Sequence, residues 1–400
     1  MRISNIRIEE TDEWARLVVD IDSDSKRYDK ESTIWIGVEK DNRWMLSKET
    51  YNCFLFLPLY MAMYYHENLH ISGKVSKQLY RNINDYLKPI MLSFSKKLSD
   101  QKIEVDGFEE VTPSDKVIIG TGISCGVDCL QTVYQYYEKE KDPDYRINGL
   151  FMLNCGWHGD YYENKTYKLF MDRSAKNTAA LKKLGGGEIT PYLVDSNLHA
   201  FLPLLDDQAS FFCIYTCVFA LEKAIRRYYI SSSYSYTQMI NYGKRSREKD
   251  WSEYADPYAI PLMNSTTLTI VSDGCQYNRS QKMELISDWP FAQKSLNVCS
   301  GNVDSGNCGI CAKCIRTLQE IEAIDKLDSF STVFDIEAYK EISMLQKCKL
   351  VVAHKHGGFT EENYEFFIEK GKKMPSLLYA EAYLFPHRVK KVIRRIIGKK

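Results

Sequence analysis

The sequence predicts an α/β protein whose parallel-sheet core carries a cysteine knuckle and follows a small α+β domain. From about residue 111 onward, apolar strand-like runs alternate with helical stretches, a rhythm typical of a parallel sheet covered by helices. Before residue 110, short alternating runs predict strands without that rhythm. Four cysteines between positions 299 and 314 have the spacing of metal ligands. The expected domains are therefore an accessory domain at 1–110, the core at 111–325 and a helical extension at 326–400.

The accessory domain is expected to contain a small antiparallel sheet and two helices. Residues 14–21 and 33–38 alternate apolar and polar side chains, which predicts two of its strands. The helical stretches are 51–66 and 76–98, with Ser76 placed to cap the second one. A short strand is expected between them, at 69–72.

The core repeats strand, turn and helix several times. Its five strands are predicted from apolar runs bounded by turn residues, at 116–123, 150–154, 189–195, 228–232 and 267–271. Its helices are predicted at 127–139, 176–184 and 208–226. Parallel strands have their carboxyl ends at one edge of the sheet, where open α/β sheets bind ligands.

Composition argues against several classes of protein. Lys plus Arg and Asp plus Glu both total 53 in 400 residues, so no strong global field attracts nucleic acid or an anionic membrane. Twelve cysteines are too few for a disulfide scaffold, which favours a reducing cytosol. The first residues, MRISNIRIEE, carry no signal-peptide pattern, and the apolar runs are too short or too interrupted to cross a bilayer. A soluble, cytoplasmic protein is the expectation.

The turn after the first core strand is a candidate anion site. It reads Gly-Thr-Gly-Ile-Ser-Cys-Gly-Val-Asp-Cys from 120 to 129 and leads into a helix, where unpaired N–H groups and the helix dipole favour a phosphate. The Ser124 hydroxyl adds a donor. A dinucleotide fingerprint would need glycine at Cys125 and an acid at Asn154, and a P-loop would need a lysine in the turn. A tight turn without a ligand remains the alternative.

The run Ser124-Cys-Gly-Val-Asp-Cys129 resembles the Ser-Gly-Gly-X-Asp-Ser loop of the N-type ATP pyrophosphatases, the PP-loop superfamily. Within it, the similarity is closest to 7-cyano-7-deazaguanine synthase-like proteins of the type found beside surface-polysaccharide genes, in which a cysteine cluster follows the nucleotide domain. The resemblance covers about residues 112–325 and implies a core of the adenine-nucleotide alpha-hydrolase type, HUP or Rossmann-like. Cys125 replaces the second residue of the family loop, and Cys129 replaces its final serine.

The resemblance also implies ATP and Mg²⁺ as ligands and a set of site residues. The catalytic residues would be Ser124, Asp128 and Cys129, with Asp128 orienting the loop or Mg²⁺. Asn154, at the end of the second core strand, lies where the family places adenine contacts. The implied nucleotide-binding residues are Gly122, Ser124, Cys125, Gly126, Val127, Asp128, Cys129 and Asn154.

Two basic residues after the fifth core strand extend this nucleotide-binding set. Arg279 and Lys282 follow Asn278, which is placed to open a helix. Cations at this position suit a substrate carboxylate or the departing pyrophosphate. A solvated helix face is the alternative.

The most specific pattern is the cysteine cluster Cys299-x8-Cys308-x2-Cys311-x2-Cys314. Zinc favours four soft ligands in a tetrahedron, and two short Cys-x-x-Cys steps supply three of them from one tight knuckle. Four thiolates leave no position open for water, so a bound zinc would be structural. A redox dithiol, unrelated buried cysteines or an iron–sulfur cluster are the alternatives.

The segment 386–400 predicts an amphipathic helix. Val389, Val392, Ile393, Ile396 and Ile397 share one helical face, and the other positions are rich in Lys and Arg. This pattern suits a membrane surface or an acidic partner. A frayed, solvated tail is the alternative.

The preferred function is an ATP-dependent adenylating enzyme. It would activate a substrate carboxylate or carbonyl, release pyrophosphate and let ammonia or another nucleophile displace AMP, as the resemblance implies. One alternative makes Cys129 or Cys125 a sulfur-carrying nucleophile of a thiolation enzyme. Another is a degenerate module that binds a nucleotide or nucleic acid without turnover. The expected partners are ATP and an unidentified small-molecule substrate, and a homo-oligomer is left open.

Overall fold

The computed structural model describes residues 1–25, 31–185, 188–205, 208–245, 252–299 and 306–397. The described strands form one ten-stranded sheet in the order β10-β9-β6-β7-β8-β3-β2-β1-β4-β5. They are β1 (Arg2–Glu10), β2 (Trp14–Asp22), β3 (Thr33–Glu39), β4 (Leu69–Val75), β5 (Ile103–Phe108), β6 (Ile118–Gly122), β7 (Gly149–Asn154), β8 (Thr190–Ser196), β9 (Ile225–Ser231) and β10 (Thr269–Asp273).

Strands β6 to β10 form the parallel half of the sheet and correspond to the five predicted core strands, with shifts at their ends. Every neighbouring pair in the order β10-β9-β6-β7-β8 is parallel. The chain adds β7 and β8 on one side of β6, and β9 and β10 on the other. Open α/β sheets bind ligands beyond the carboxyl ends of the strands where the order reverses in this way. The turns that follow β6 and β9 are therefore the first places to search for a site.

The N-terminal strands extend this sheet. Strands β1, β2 and β3 are antiparallel, as predicted, and β4 and β5 continue the sheet in parallel beside β1. The expectation of a small separate sheet is wrong, because β3 pairs antiparallel with β8, with Gly37 opposite Asp195. This pairing covers the backbone edge that β8 would otherwise present. One buried apolar cluster consequently includes Ile36 of β3, Phe151 of β7 and Ile225 of β9.

The described residues contain these α-helices: α1 (Leu57–Tyr65), α2 (Lys77–Asn82), α3 (Lys88–Phe94), α4 (Val127–Val133), α5 (Asn164–Gly185), α6 (Ala209–Ala220), α7 (Tyr236–Arg245), α8 (Ser252–Ala259), α9 (Arg279–Ile286), α10 (Pro290–Ser295), α11 (Ala312–Ala323), α12 (Ile336–Ala353), α13 (Phe359–Glu369) and α14 (Leu377–Ile397). Ser76 caps α2 as predicted, since its hydroxyl accepts from the Leu79 N–H at 3.5 Å. A helix long and apolar enough to cross a membrane is not present among them.

Helix α6 is shorter than the predicted 208–226. It ends at Ala220, and the chain turns through Leu221 to enter β9 at Ile225, which pairs with Ile118 of β6. The link between helix and strand, residues 221–224, contains no glycine or proline, so periodicity alone did not locate the boundary.

The chain divides into two compact units, which differ from the predicted divisions at 110 and 325. The sheet unit comprises residues 1–124 and 132–275, and the helical unit comprises residues 125–131 and 276–400. The N-terminal residues fall within the sheet unit because their strands continue its sheet.

Candidate functional site

The four predicted metal ligands lie together in the helical unit. The Sγ atoms of Cys299, Cys308, Cys311 and Cys314 are all within 4.8 Å of one another. The Sγ atoms of Cys308 and Cys314 are 3.9 Å apart. Zn–S bonds of about 2.3 Å in a tetrahedron place sulfur atoms about 3.8 Å apart. The cluster is therefore compatible with a structural metal such as zinc.

The knuckle is shaped by its backbone and by one amide side chain. Gly306 and Gly309 have φ of 76° and 69°, a region that glycine enters without strain. The side chain of Asn307 joins the segment that contains Cys308 to the backbone before Cys299. Its Oδ1 accepts a hydrogen bond from the Val298 N–H at 2.8 Å, and its Nδ2 donates to the Leu296 carbonyl at 2.8 Å. Asn307 was missed by the sequence reasoning, because an asparagine beside a cysteine cluster carries no distinct pattern.

The burial of the cysteine thiols and the hydrogen bonds to their sulfur atoms are also compatible with a bound metal. Cys299 and Cys314 are buried, whereas Cys308 and Cys311 are half-buried. Burial and a hydrogen bond involving Cys311 raise the pKa of the Cys314 thiol. A bound dication favours thiolates and reverses that effect. The N–H groups of Cys311 and Cys314 donate to the sulfurs of Cys308 and Cys311 at 3.4 and 3.5 Å, contacts that suit thiolate ligands.

The turn after β6 has the strand–turn–helix form predicted from the sequence. Ser124 is exposed, and Cys125 lies in the left-handed region with φ of 58°. Gly126 accepts the first hydrogen bond of the helix, from the Leu130 N–H at 2.9 Å. On the strand side, Asn177 of α5 donates to the Ile123 carbonyl at 3.2 Å. The backbone is thus fixed on both sides of Ser124.

Both cysteines of the turn are buried, with 1 % of Cys125 and 7 % of Cys129 exposed. Val127 is fully buried, and Gly122 and Gly126 are half-buried. Of the three predicted catalytic residues, Ser124 is the one that solvent reaches most freely, while Asp128 is half-buried.

Asp128, Arg279 and Lys282 form an ionic cluster in the helical unit. One carboxylate oxygen of Asp128 lies 3.1 Å from Arg279 Nη1, and the other lies 3.2 Å from Lys282 Nζ. A capping box of Asn278 and Gln281 starts α9 and fixes the two basic residues one turn apart on one helix face. Arg279 is 5 % exposed and Lys282 is fully buried, so the alternative of a solvated helix face is wrong.

Helix α11 adds three further polar side chains to this cluster. Arg279 Nη2 donates to Thr317 Oγ1 at 3.0 Å, and Arg279 Nε lies 3.4 Å from a Glu320 oxygen without hydrogen-bond geometry. Burial raises the pKa of Glu320 to about 7, against the attraction of Arg279. Arg316 packs its guanidinium 3.8 Å from the centre of the Phe359 ring. These three residues, Arg316, Thr317 and Glu320, were not predicted as site residues, although they follow Cys314 closely in the sequence.

The carboxyl ends of β7 and β8 lie side by side in the sheet unit and bring Asn154 next to Asp195. Asn154 Nδ2 donates to Asp195 Oδ1 at 2.7 Å, and Asn154 is 3 % exposed. Burial raises the pKa of Asp195 despite this hydrogen bond. Asn154 Oδ1 is buried without a hydrogen-bond partner among the described residues. The structure thus pairs Asn154 with Asp195, and its predicted role toward adenine stays a prediction.

A second polar group lies at the ends of β9 and β10. Thr132 Oγ1 donates to Asp273 Oδ2 at 2.8 Å and accepts from Ser231 Oγ at 2.9 Å. Tyr136 stacks on Tyr229 with ring centres 3.9 Å apart, and burial, together with Asp273, raises the pKa of Tyr136. Thr132 was not singled out by the sequence, because a threonine inside a helical run has no distinguishing pattern.

Comparison with known proteins found no matching family model, no matching curated protein and no matching solved structure. The function of this chain is therefore inferred from its own residues and their geometry.

Proposed function

We propose that this chain is an ATP-dependent adenylating enzyme of the PP-loop type, with a HUP-like core. The observation that carries the proposal is the turn Ser124–Cys129. It leaves β6, one of the two strands between which the strand order reverses, and leads into α4. Nucleotide phosphates bind at such turns in open α/β sheets.

The local backbone of the turn supports an anion. A left-handed residue beside right-handed residues is the pattern of backbone nests, whose N–H groups converge on anions. Cys125, with φ of 58°, has the left-handed conformation, one of the two that such a nest needs. Ser124 is exposed beside this turn, and we assign its hydroxyl as a further donor to a phosphate oxygen. In the proposed complex, this turn holds the β- and γ-phosphates that leave as pyrophosphate.

The ionic cluster supports a positioning role for Asp128. Because Arg279 and Lys282 each engage one of its oxygens, Asp128 holds the first turn of α4 against α9. We therefore assign Asp128 to orienting the turn, and Mg²⁺ to the phosphates of ATP. Arg279 and Lys282 are both buried, so we assign them a long-range electrostatic role and not direct contact. Their positive charges would stabilise the negative charge on the departing pyrophosphate.

The proposed reaction has two displacements. An oxygen of the substrate carboxylate attacks the α-phosphorus of ATP, the bond from that phosphorus to the bridging oxygen breaks, and pyrophosphate leaves. A nucleophile such as ammonia then attacks the activated carbonyl carbon, and AMP leaves. The chain's contribution is to position the reactants and stabilise the leaving charge.

The burial of both turn cysteines favours this proposal over sulfur transfer. A sulfur-carrying thiol must meet a donor and an acceptor, and reactive cysteines are partly exposed. Cys125 and Cys129 are 1 % and 7 % exposed. Their burial agrees better with a role in packing the turn.

The test is the position at which ATP is cleaved. The protein is incubated with Mg²⁺ and ATP radiolabelled at the α-phosphate, together with a panel of carboxylic acids, and the labelled products are separated. We expect label in AMP with at least one acid, reduced by Ser124→Ala and unchanged by Ser329→Ala, an exposed serine in the helical unit. Label in ADP would overturn the proposal.

A further inference from the structure

Helix α14 presents two different faces along its first half. Ala380 and Leu384 are buried in an apolar cluster with Cys348 and Val351 of α12. Leu378 is 84 % exposed on the other side of the helix. Phe385, seven residues later and thus on the same side, is 67 % exposed. Two large apolar side chains therefore face away from the helical packing of this unit.

The sequence beyond Phe385 continues the exposed stripe. At about 100° per residue, positions 389, 392, 393 and 396 all fall within about 60° of the position of Leu378. Valine or isoleucine occupies each of them. Positions 388, 391 and 395 fall on the side of Ala380 and Leu384, and each is Arg or Lys. By this spacing, the sequence repeats apolar residues at the positions equivalent to Leu378 and basic residues at the positions equivalent to Ala380 and Leu384.

Aromatic residues line one border of the exposed stripe. Tyr379 and Tyr383 stack with ring centres 5.9 Å apart, and Tyr383 and His387 are 6.0 Å apart. Tyr379 is 50 % exposed and Tyr383 is 38 % exposed. Tyrosine rings are enriched at the level of lipid headgroups, where one end is apolar and the other is hydrated.

The charge of the segment is one-sided. Residues 386–400 include Arg388, Lys390, Lys391, Arg394, Arg395, Lys399 and Lys400 and no Asp or Glu, in a chain whose formal charges cancel. An anionic surface is therefore the complementary partner. Two copies of the segment would bring like charges together, which disfavours a second copy as the partner.

We propose that α14 binds in the plane of an anionic lipid surface. Its stripe from Leu378 through 396 would enter the boundary between headgroups and acyl chains, while its Arg and Lys side chains contact lipid phosphates. This proposal does not depend on the adenylating activity.

Vesicle co-sedimentation of the full chain tests the proposal. We expect binding to phosphatidylcholine vesicles that contain phosphatidylserine, and binding at least about tenfold weaker to pure phosphatidylcholine or in high salt. The charge reversal Lys390→Glu with Lys391→Glu should weaken binding about tenfold or more, because each basic residue near the surface contributes about 1 kcal/mol.

The apolar stripe is tested by a matched pair of variants. Leu378→Glu with Phe385→Glu should weaken vesicle binding about tenfold or more, and neither residue is needed for packing because both are exposed. The control is Ile368→Glu on α13 with Met344→Glu on α12, which adds the same two charges at other exposed apolar residues, 52 % and 43 % exposed, and should leave binding unchanged.

Three results would overturn the proposal. One is no binding of the wild-type chain to phosphatidylserine vesicles. Another is equal binding of the wild type and the Leu378→Glu, Phe385→Glu variant. The third is a dimer that sedimentation velocity detects without lipid and that Phe385→Glu dissociates. That result would show that the stripe contacts a second copy of the chain.

Discussion

At the scale of single residues, Cys125 departs from the conformation that its side chain prefers. It has φ of 58°, and a non-glycine residue in the left-handed region costs about 1–2 kcal/mol. The family loop that the turn resembles has glycine at this position, which would adopt the same backbone without that cost. The structure thus assigns an energetic cost to a residue difference that the sequence showed only as a mismatch.

The first prediction compares Cys125→Gly with Cys125→Ala. Both remove the buried thiol, but alanine retains Cβ, so the glycine variant should be more stable by about 1 kcal/mol. The free energy of unfolding from urea titration measures this. As a control, Cys213 in the middle of α6 should show the opposite order, since glycine destabilises a helix interior by about 1 kcal/mol relative to alanine. An alanine variant as stable as the glycine variant at 125 would refute the left-handed backbone.

The second prediction concerns Cys129. Serine at this position restores the residue of the family loop, and a hydroxyl is a better hydrogen-bond donor than a thiol. Cys129→Ser should therefore retain or raise the release of pyrophosphate, measured with an enzyme-coupled assay. Loss of pyrophosphate release with unchanged ATP affinity would instead indicate sulfur chemistry at Cys129. No release from either version with any acid would indicate a site without turnover.

At the scale of elements, the knuckle and helix α11 act together. Cys311 caps α11 and Cys314 lies in its first turn, so a bound metal would fix the start of the helix that carries Thr317 and Glu320. Arg279, which pairs with Asp128, contacts those two side chains. Order at the knuckle is thereby connected to order in the ionic cluster, within the helical unit.

The third prediction is that the purified protein contains about one equivalent of zinc, because four thiolates make one closed tetrahedral site. Cys311→Ser should lose the metal and unfold at lower temperature, since the binding free energy of a structural metal contributes to folding. Elemental analysis and circular dichroism measure the two effects. Cys348→Ala, a buried cysteine outside the cluster, should lose stability but retain zinc. A metal-free Cys311→Ser chain with wild-type stability would contradict a structural site.

The sequence predicted elements better than their arrangement. The five core strands were found because each is an apolar run with turn residues at its ends. The pairing of β3 with β8 was not found, because it joins residues about 160 positions apart and leaves no local pattern. Sequence separation also explains why the cysteine cluster was predicted and the pairing of Asp128 with Arg279 was not. The four cysteines of the knuckle lie within sixteen residues, whereas Asp128 and Arg279 are 151 residues apart.

At the scale of the whole molecule, the central claim is that the turn at the reversal of strand order binds ATP. The order β10-β9-β6-β7-β8 defines that reversal and was not deducible from the sequence, which gave the strands but not their neighbours. Binding is a more direct test than turnover, because it does not require the unidentified acid substrate.

The decisive measurement is calorimetric titration of the chain with ATP and Mg²⁺. We predict one binding site, about tenfold weaker in Ser124→Ala, which loses one hydrogen bond to a charged phosphate. Ser124→Glu should bind at least about tenfold more weakly, because it adds a negative charge to an exposed position beside the phosphates. Ser329→Glu, at an exposed position in the helical unit, should bind as the wild type does. Absence of ATP binding by the wild type, or equal binding by Ser124→Glu, would contradict the account.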